Sequence, residues 1–408
     1  MDIKTAFLYG ELNEEIYMEQ PEGFVEKGQE NKVCKLRKAI YGLKQASRTW
    51  NEKLHKTLLR IGFTRTHGDA GVYVYHHQGG DLILIVYVDD LLPLGSSKSQ
   101  IQRIKDTLAK DFQMRDLGPV KNFLGMRITR DREKRTLEID QQSYIEQMLA
   151  RFGMSDAHAK TTPLPEGIHL TSGPEGYTAP PALLKLYQQM IGSLLYAMLG
   201  TRPDIGYAVT RLSQFMSNPT NEHLAAAKHL LRYLRGTAHL RIRYNGAGHS
   251  GLIGYSDADW AEDKDNRRST TGFVFLFADA AVTWVSHKQK TVARSSTEAE
   301  YMALSDACRE LAWLRSLQRE IGFDQSSPTP VVADNHGAIF LAVNPAHDRR
   351  IKHVDIRYHF IREFVERKEC NIVYVSTNDM IADVLTKPLG PKKFLNFRPQ
   401  LGMVQPTI

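Results

Sequence analysis

The sequence predicts a multidomain chain of mixed α+β and α/β type, on three observations. Its 408 residues exceed what one hydrophobic core organises. Short β-branched strands alternate with amphipathic helices at both ends of the chain, flanking a stretch that is helical throughout. A Pro-, Gly- and Thr-rich break separates the first mixed region from the helical one.

In the first region, Leu82-Ile83-Leu84-Ile85-Val86-Tyr87-Val88 is a continuous apolar run between Gly79-Gly80-Asp81 and Asp89-Asp90. Such a run reads as a buried strand ending at a turn. Ala46 to Ile61 reads as a helix with Trp50, Leu54, Leu58 and Ile61 on one face. Lys98 to Phe112 reads as a second, carrying Ile101, Ile104, Leu108 and Phe112. Pro93 falls in the strand after Asp89-Asp90, where it is expected to remove a ladder hydrogen bond.

Between Lys160 and Pro181 the pattern dissolves around Pro163, Pro165, Pro174, Pro180 and Pro181, as in a linker. The helix predicted after Asn218-Pro219-Thr220 carries Leu224, Ala227, Leu231 and Leu234 on one stripe and Lys228, Arg232 and Arg235 beside it. That basic stripe is either a track for a nucleic-acid backbone or a solvated face. From residue 251 the predicted order is strand (Ile253 to Asp257), two meander strands (Phe273 to Phe277, Val282 to Val285), and a long helix closed by Gly322. A strand at Pro330 to Ala333, further helix, a strand at Ile372 to Val375 and a helix from Met380 follow. Thr297-x-x-Glu300 fits a capping box at the start of the long helix.

Composition narrows the classes. No run approaches the roughly 18 apolar residues of a membrane span, and the first residues lack a secretory pattern, so the expectation is a chain neither membrane-bound nor secreted. Cys34, Cys308 and Cys370 are odd in number, far apart and without CxxC spacing, which argues against a disulfide framework or a zinc site and for a reducing compartment. The net charge of +7 is compatible with a polyanionic partner.

Two sets of acids carry the chemistry. Asp89-Asp90 follows a strand directly, and adjacent carboxylates there are unfavourable unless a cation sits between them. A hard divalent ion held by carboxylates and substrate phosphates would suit the position. Asp257, Glu300, Asp334 and Asp383 each stand at the end or start of an element, and each alone has an ordinary reading as a turn or helix-start residue.

The surrounding motifs identify a family. Asp2-Ile3-Lys4-Thr5-Ala6-Phe7-Leu8, Glu15-Ile16-Tyr17-Met18-Glu19-Gln20-Pro21-Glu22-Gly23-Phe24, Ala39-Ile40-Tyr41-Gly42-Leu43-Lys44-Gln45-Ala46 and Tyr87-Val88-Asp89-Asp90 closely resemble the reverse transcriptase of copia-type LTR retrotransposons. Met190-Ile191-Gly192-Ser193-Leu194-Leu195-Tyr196 and Thr201-Arg202-Pro203-Asp204-Ile205 continue the pattern. Tyr255-Ser256-Asp257-Ala258-Asp259-Trp260-Ala261, Ser295-Ser296-Thr297-Glu298-Ala299-Glu300-Tyr301, Asp334-Asn335, the segment Lys352 to Phe360, and Ile381-Ala382-Asp383-Val384-Leu385-Thr386-Lys387 resemble the ribonuclease H that follows it.

The resemblance implies a partial right-hand polymerase palm with the fingers missing (1–155), a linker (156–181), and a helical thumb or connection (182–250). A ribonuclease H domain with a mixed five-stranded sheet and helices (251–390) and a tail (391–408) would complete the chain. It implies catalytic roles for Asp2, Asp89 and Asp90 in the palm, and for Asp257, Glu300, Asp334 and Asp383 in the ribonuclease H. All of these except Asp90 would be metal ligands, for two Mg²⁺ (or Mn²⁺) ions per active site. Phe7 would lie under the deoxyribose, Gly42, Lys44 and Gln45 against nucleotide and template, and Phe123-Leu124-Gly125 at the start of the primer-holding hairpin. Implied partners are an RNA template, a DNA primer, RNA–DNA hybrid, dNTPs and other parts of the Pol polyprotein, with no membrane. The implied setting is a cytoplasmic virus-like particle or the nucleus.

Some positions depart from the family. Ser47 stands where proline is usual, and no fingers region precedes Asp2, so polymerisation by this chain alone is expected to be impaired. Many ribonucleases H carry a histidine loop before the last acid. Here only Ser376-Thr377-Asn378-Asp379 intervenes, and His353 and His359 lie earlier, with structural packing the favoured reading. Asp259 and Glu298 read as peripheral. The alternative to an enzyme is an inactive retroelement remnant that only binds nucleic acid.

Overall fold

The computed structural model describes residues 1–77, 80–248, 251–344 and 355–406, of which 355–358 by backbone alone. His353 lies outside the described residues. The chain forms two compact units, one of Met1–Val120 with Trp313–Gln325 and one of Lys121–Ala312 with Ser326–Ile408.

The first unit is built on an antiparallel sheet in the order Thr64–Arg65, Val72–Tyr75, Leu82–Tyr87, Asp90–Gly95, Asp2–Ile3, Met114–Arg115. Alternation along the central strand points Leu82 and Leu84 into the core and leaves Ile83 and Ile85 half-buried, so the apolar run is less enclosed than its composition suggests. Helix Ala46–Ile61 buries Trp50, Leu54 and Leu58 against Leu82, Leu84 and Leu91. Each such side chain contributes about 1.5–3 kcal/mol by leaving water. Gly62 stops this helix in a left-handed conformation, at φ 105°. The second helix runs Lys98–Leu108, capped by Ser97, and Phe112 reaches the same core through the turn that follows.

Pro93 does not break the ladder. Leu91 donates its N–H to Met1 O, so residues 91 and 93 turn their nitrogens to the side away from Leu82–Tyr87. Asp2–Ile3 pairs with that side only at Asp90, and Pro93 lies beyond it. The proline occupies a position where no donor is needed.

The second unit contains a mixed sheet in the order Ala280–Lys288, Thr270–Phe277, Ile253–Ala258, Thr329–Ala333, Cys370–Tyr374. The first three strands are an antiparallel meander, and the last two run parallel to Ile253–Ala258. This is the ribonuclease H-like arrangement that the motifs implied. Helices Pro181–Thr201, Gly206–Ser213 and Asn221–Thr237 share one continuous apolar core with the meander, through Leu194, Val209 and Leu230 on one side and Val274, Leu276 and Ala281 on the other. Trp284 donates its indole N–H to Met198 O at 3.1 Å, which ties the two layers. A second sheet joins Met126–Asp131, Thr136–Asp140 and Arg241–Asn245 to Met403–Val404 near the chain end.

The proline-rich segment has no regular secondary structure, yet Thr162, Leu164 and Leu170 are buried. Arginines from the basic stripe hold its start: Arg232 donates to His158 O at 2.7 Å and Arg235 to Ser155 O at 2.5 Å. Two of the three stripe cations are thus engaged by this chain's own backbone. His229 and His223 contact Thr162 O and Thr171 O, each at 3.0 Å.

The long helix is Ser296–Glu320, and its cap lies two residues earlier than the Thr297 box. Ser295 Oγ accepts from Glu298 N–H, while Glu298 Oε2 accepts from Arg294 N–H at 2.8 Å. Glu298 is therefore a capping residue. Glu300, released from that task, is free to face the sheet. The expected helix from Met380 is a short 3₁₀ turn, Ile381–Leu385.

Two candidate acidic sites

In the first unit, Leu82–Tyr87 and Asp90–Gly95 form a hairpin with Tyr87 opposite Asp90, so Val88-Asp89 makes the turn. Val88 has φ 54°, which a β-branched residue adopts only when its surroundings enforce it. Trp50 does so by donating its indole N–H to Val88 O at 2.7 Å. On the other side Ile3 N–H donates to Asp89 O at 2.9 Å, and Asp2 lies directly opposite Asp90. Asp2, Asp89 and Asp90 are thereby gathered at one end of the sheet. Burial, then the charges of Asp89 and Asp2, push the Asp90 carboxyl above its usual range, the repulsion a cation relieves.

Phe7 follows on the 3₁₀ turn Ala6–Tyr9, its ring 4.8 Å from that of Tyr41. Gly42 takes φ 96°, which requires glycine-like freedom. Lys44 is exposed, and Gln45 is half-buried at the start of helix Ala46–Ile61. Phe7 and the 41–45 segment therefore lie together through the exposed ring of Tyr41. Phe123 and Leu124 belong to the second unit, where Leu124 O accepts from the Tyr196 hydroxyl at 2.9 Å.

In the second unit, Asp257 closes Ile253–Ala258 and Asp334 directly follows Thr329–Ala333. These strands are parallel neighbours, so their carboxyl ends meet, the place where open α/β sheets bind ligands. Glu300 reaches the same point from the second turn of the long helix. Ligand atoms of Asp257, Glu300 and Asp334 lie within 4.8 Å of one another. Glu300 Oε2 accepts from Ala258 N–H at 3.2 Å, and Asp334 Oδ2 accepts from the Thr377 hydroxyl at 2.6 Å. Asp257 is wholly buried; its Oδ2 accepts from the Thr386 hydroxyl and contacts Lys387 Nζ at 3.2 Å. Its Oδ1 is buried without a hydrogen-bond partner.

Asp383, on the 3₁₀ turn, stands beside this group but is taken by lysines. Lys387 Nζ is 2.7 Å from its Oδ1, and Lys393 Nζ contacts its Oδ2. Lys393 comes from helix Pro391–Phe397 and also donates to Thr377 O at 2.9 Å.

Burial pushes the Asp257 and Glu300 carboxyls up; Asp383 adds to this for Asp257, and Asp257 and Asp334 add to it for Glu300. Three converging carboxylates with an orphaned buried oxygen fit a hard divalent cation, which takes oxygen ligands. Asp259 is separate from them: it accepts from Thr270 N–H at 2.8 Å, and burial pushes its carboxyl to about 7. Glu298, as a cap, is likewise outside the group. His359 is exposed on helix Asp355–Glu366.

Sequence reasoning passed over the residues that hold these acids. Lys387 and Thr386 belong to the Ile381–Lys387 motif, which assigns them no role; Lys393 and Thr377 carry no local signal. Gly272 is the register partner of Asp257, and a Cβ there would come within 2.6 Å of Thr386 Cγ2 and 2.8 Å of Leu385 Cβ. Its lack of a side chain lets the Asp383 turn sit against the strand.

Comparison with known proteins agrees with this architecture. Residues 1–166 match the family described as reverse transcriptase (RNA-dependent DNA polymerase). The chain is 43% identical over 407 residues to the retrovirus-related Pol polyprotein from transposon TNT 1-94 of Nicotiana tabacum, covering 99% of this chain and 30% of that protein. It is 42% identical to the corresponding polyprotein from transposon RE1 of Arabidopsis thaliana, with 99% and 27% covered. It is also 38% identical over 314 residues to the putative transposon Ty5-1 protein of Saccharomyces cerevisiae, covering 76% of this chain and 100% of that one. The chain thus spans less than a third of the two plant polyproteins. It belongs to the copia-type retrotransposon Pol family, with its residues 1–166 matching the reverse transcriptase and its second unit built on a ribonuclease H-like sheet.

Proposed function

We propose that the second unit hydrolyses the RNA strand of RNA–DNA hybrids with divalent cations, Mg²⁺ or Mn²⁺. The first unit would present Asp2, Asp89 and Asp90 for RNA-directed DNA synthesis from dNTPs on a primed template. The observation that carries the hydrolytic reading is the convergence of Asp257, Glu300 and Asp334, with one buried oxygen of Asp257 unpartnered.

Asp257, Glu300 and Asp334 would hold the ion, which when bound lowers the pKa of a water and neutralises the departing 3′-oxygen. Thr377 and Thr386 fix the orientation of Asp334 and Asp257. The strands bearing both acids set their spacing before any substrate arrives, which removes reorganisation from the reaction. Selectivity for the RNA strand would come from its 2′-hydroxyls and the minor-groove shape of the hybrid. Backbone contacts by a chain of net charge +7 would make binding fall steeply with salt.

The test is cleavage of a labelled RNA in an RNA–DNA hybrid by purified protein with Mg²⁺. Wild type is expected to cut, and Asp334→Asn to lose cutting by at least a hundredfold while still binding hybrid. Equal inertness of the two proteins, with binding intact, would overturn the reading in favour of a chain that only binds nucleic acid.

A further inference from the structure

The lysines around Asp383 divide the acidic group into two halves. Lys387 Nζ stands between Asp257 Oδ2 at 3.2 Å and Asp383 Oδ1 at 2.7 Å. Lys393 Nζ covers Asp383 Oδ2, so both oxygens of Asp383 already carry an ammonium. Among the described residues, Asp257, Glu300 and Asp334 bring ligand atoms within 4.8 Å of one another.

A divalent ion bridging Asp257 and Asp383 would need an oxygen of each at about 2.0–2.1 Å. Bound through Asp257 Oδ2 and Asp383 Oδ1, it would coincide with the Lys387 ammonium.

The backbone that carries this ammonium is held in place. Lys387 sits one turn beyond Asp383, and its carrier backbone is held by the bonds of Thr386 N–H and Lys387 N–H to Asp383 O at 3.2 and 3.0 Å. Thr386 Oγ1 anchors the same stretch to Asp257. The backbone at Lys387 thus belongs to the turn that packs on the strand.

We propose that this chain binds a single divalent ion, on Asp257, Glu300 and Asp334, and that the Lys387 ammonium takes the place of a second ion beside Asp383. Lys387 is then a positioning residue, and Asp383 acts by holding it. The inference rests on the proposed cation-dependent cleavage at this site.

The experiment uses full-length protein in an Asp89→Asn background, which disables the other acidic group. Mn²⁺ is added with a hybrid whose RNA strand is 2′-O-methylated and so cannot be cut, and electron paramagnetic resonance reads the ion environment. Two Mn²⁺ ions roughly 4 Å apart are exchange-coupled; a lone ion gives a six-line spectrum.

Lys387 variants are expected to divide by charge. The parent and Lys387→Arg should give the lone-ion spectrum, and Lys387→Met should give the coupled pair and one more bound Mn²⁺ per chain. Lys387→Gln is read in parallel, and either neutral variant that melts as the parent does decides the matter. A coupled pair in the parent, or a lone ion in a folded neutral variant, would overturn the inference. Cleavage of ordinary hybrid is assayed separately: a lone ion with no cleavage sinks the proposed function and leaves the ion count standing.

Discussion

Replacing Arg202 by Met is expected to be among the most destabilising single changes outside the acidic sites. Arg202 and Asp204 are wholly buried. The guanidinium donates to both oxygens of Asp204 at 2.8 and 2.7 Å, to Thr237 O at 3.1 Å and to Thr237 Oγ1 at 2.8 Å. Without it, Asp204 keeps the Tyr233 hydroxyl at 2.5 Å as a hydrogen-bond donor, and Arg398 only as a nearby charge. Removing one partner of a buried ion pair costs about 3–5 kcal/mol, or a roughly 150- to 5,000-fold shift in the unfolding equilibrium.

Because two units need not unfold together, the assay is hydrogen exchange of the Asn221–Thr237 amides alongside urea unfolding. The sign with pH is fixed as well. Burial opposes the Asp204 charge, but Arg202 outweighs it and holds the carboxyl below its ordinary value. That stabilisation is present above the unfolded carboxylate pKa and is lost as pH falls through the folded one. The Arg202→Met deficit should therefore shrink in strong acid. The double change Arg202→Met with Asp204→Leu should recover most of the loss, since apolar replacement of a whole buried pair is often neutral. A single-mutant cost under about 1 kcal/mol, or a double mutant as unstable as the single, would refute the reasoning.

Two further outcomes concern the neighbourhood of the acids. Asp259, at about 7 in the fold, binds its proton more tightly than in the unfolded chain, so stability should decline as pH rises from about 4 to 7. Asp259→Asn should flatten that decline and stabilise the protein at pH 8 by about 2–4 kcal/mol, seen in metal-free urea midpoints. Gly272→Ala should push the Ile381–Leu385 turn off the strand, lowering stability by about 1–3 kcal/mol and hybrid cleavage at least tenfold. Unchanged melting and cleavage would show that the turn moves freely.

What was legible in the sequence follows from how locally each feature is encoded. Ala46–Ile61 could be read to its ends because Trp50, Leu54 and Leu58 repeat at helical spacing and Gly62 terminates the run. The hairpin of Asp89-Asp90 was legible from a turn flanked by apolar residues. The cap of the long helix was misplaced because Ser295, Ser296 and Thr297 all offer hydroxyls, and only the partner of Glu298 decides among them. Pro93 misled because ladder parity depends on a register set at Asp2–Asp90. Lys393 and Thr377 escaped because their roles depend on contacts with Asp383 and Asp334 across the fold. The Thr201-Arg202-Pro203-Asp204-Ile205 block shows the converse: a family signature whose charged pair is spent on the core.

The strapping of the proline-rich segment changes what that segment means for proteolysis. A protease needs a stretch of backbone it can pull into extended form in its own cleft. Here carbonyls at Ser155, His158, Thr162, Leu170 and Thr171 are already claimed by arginine and histidine side chains of the adjoining helices. Nicking it therefore requires first peeling it away from those helices, and the composition most suggestive of a scissile spacer marks a girdle that is protected as long as the helices hold.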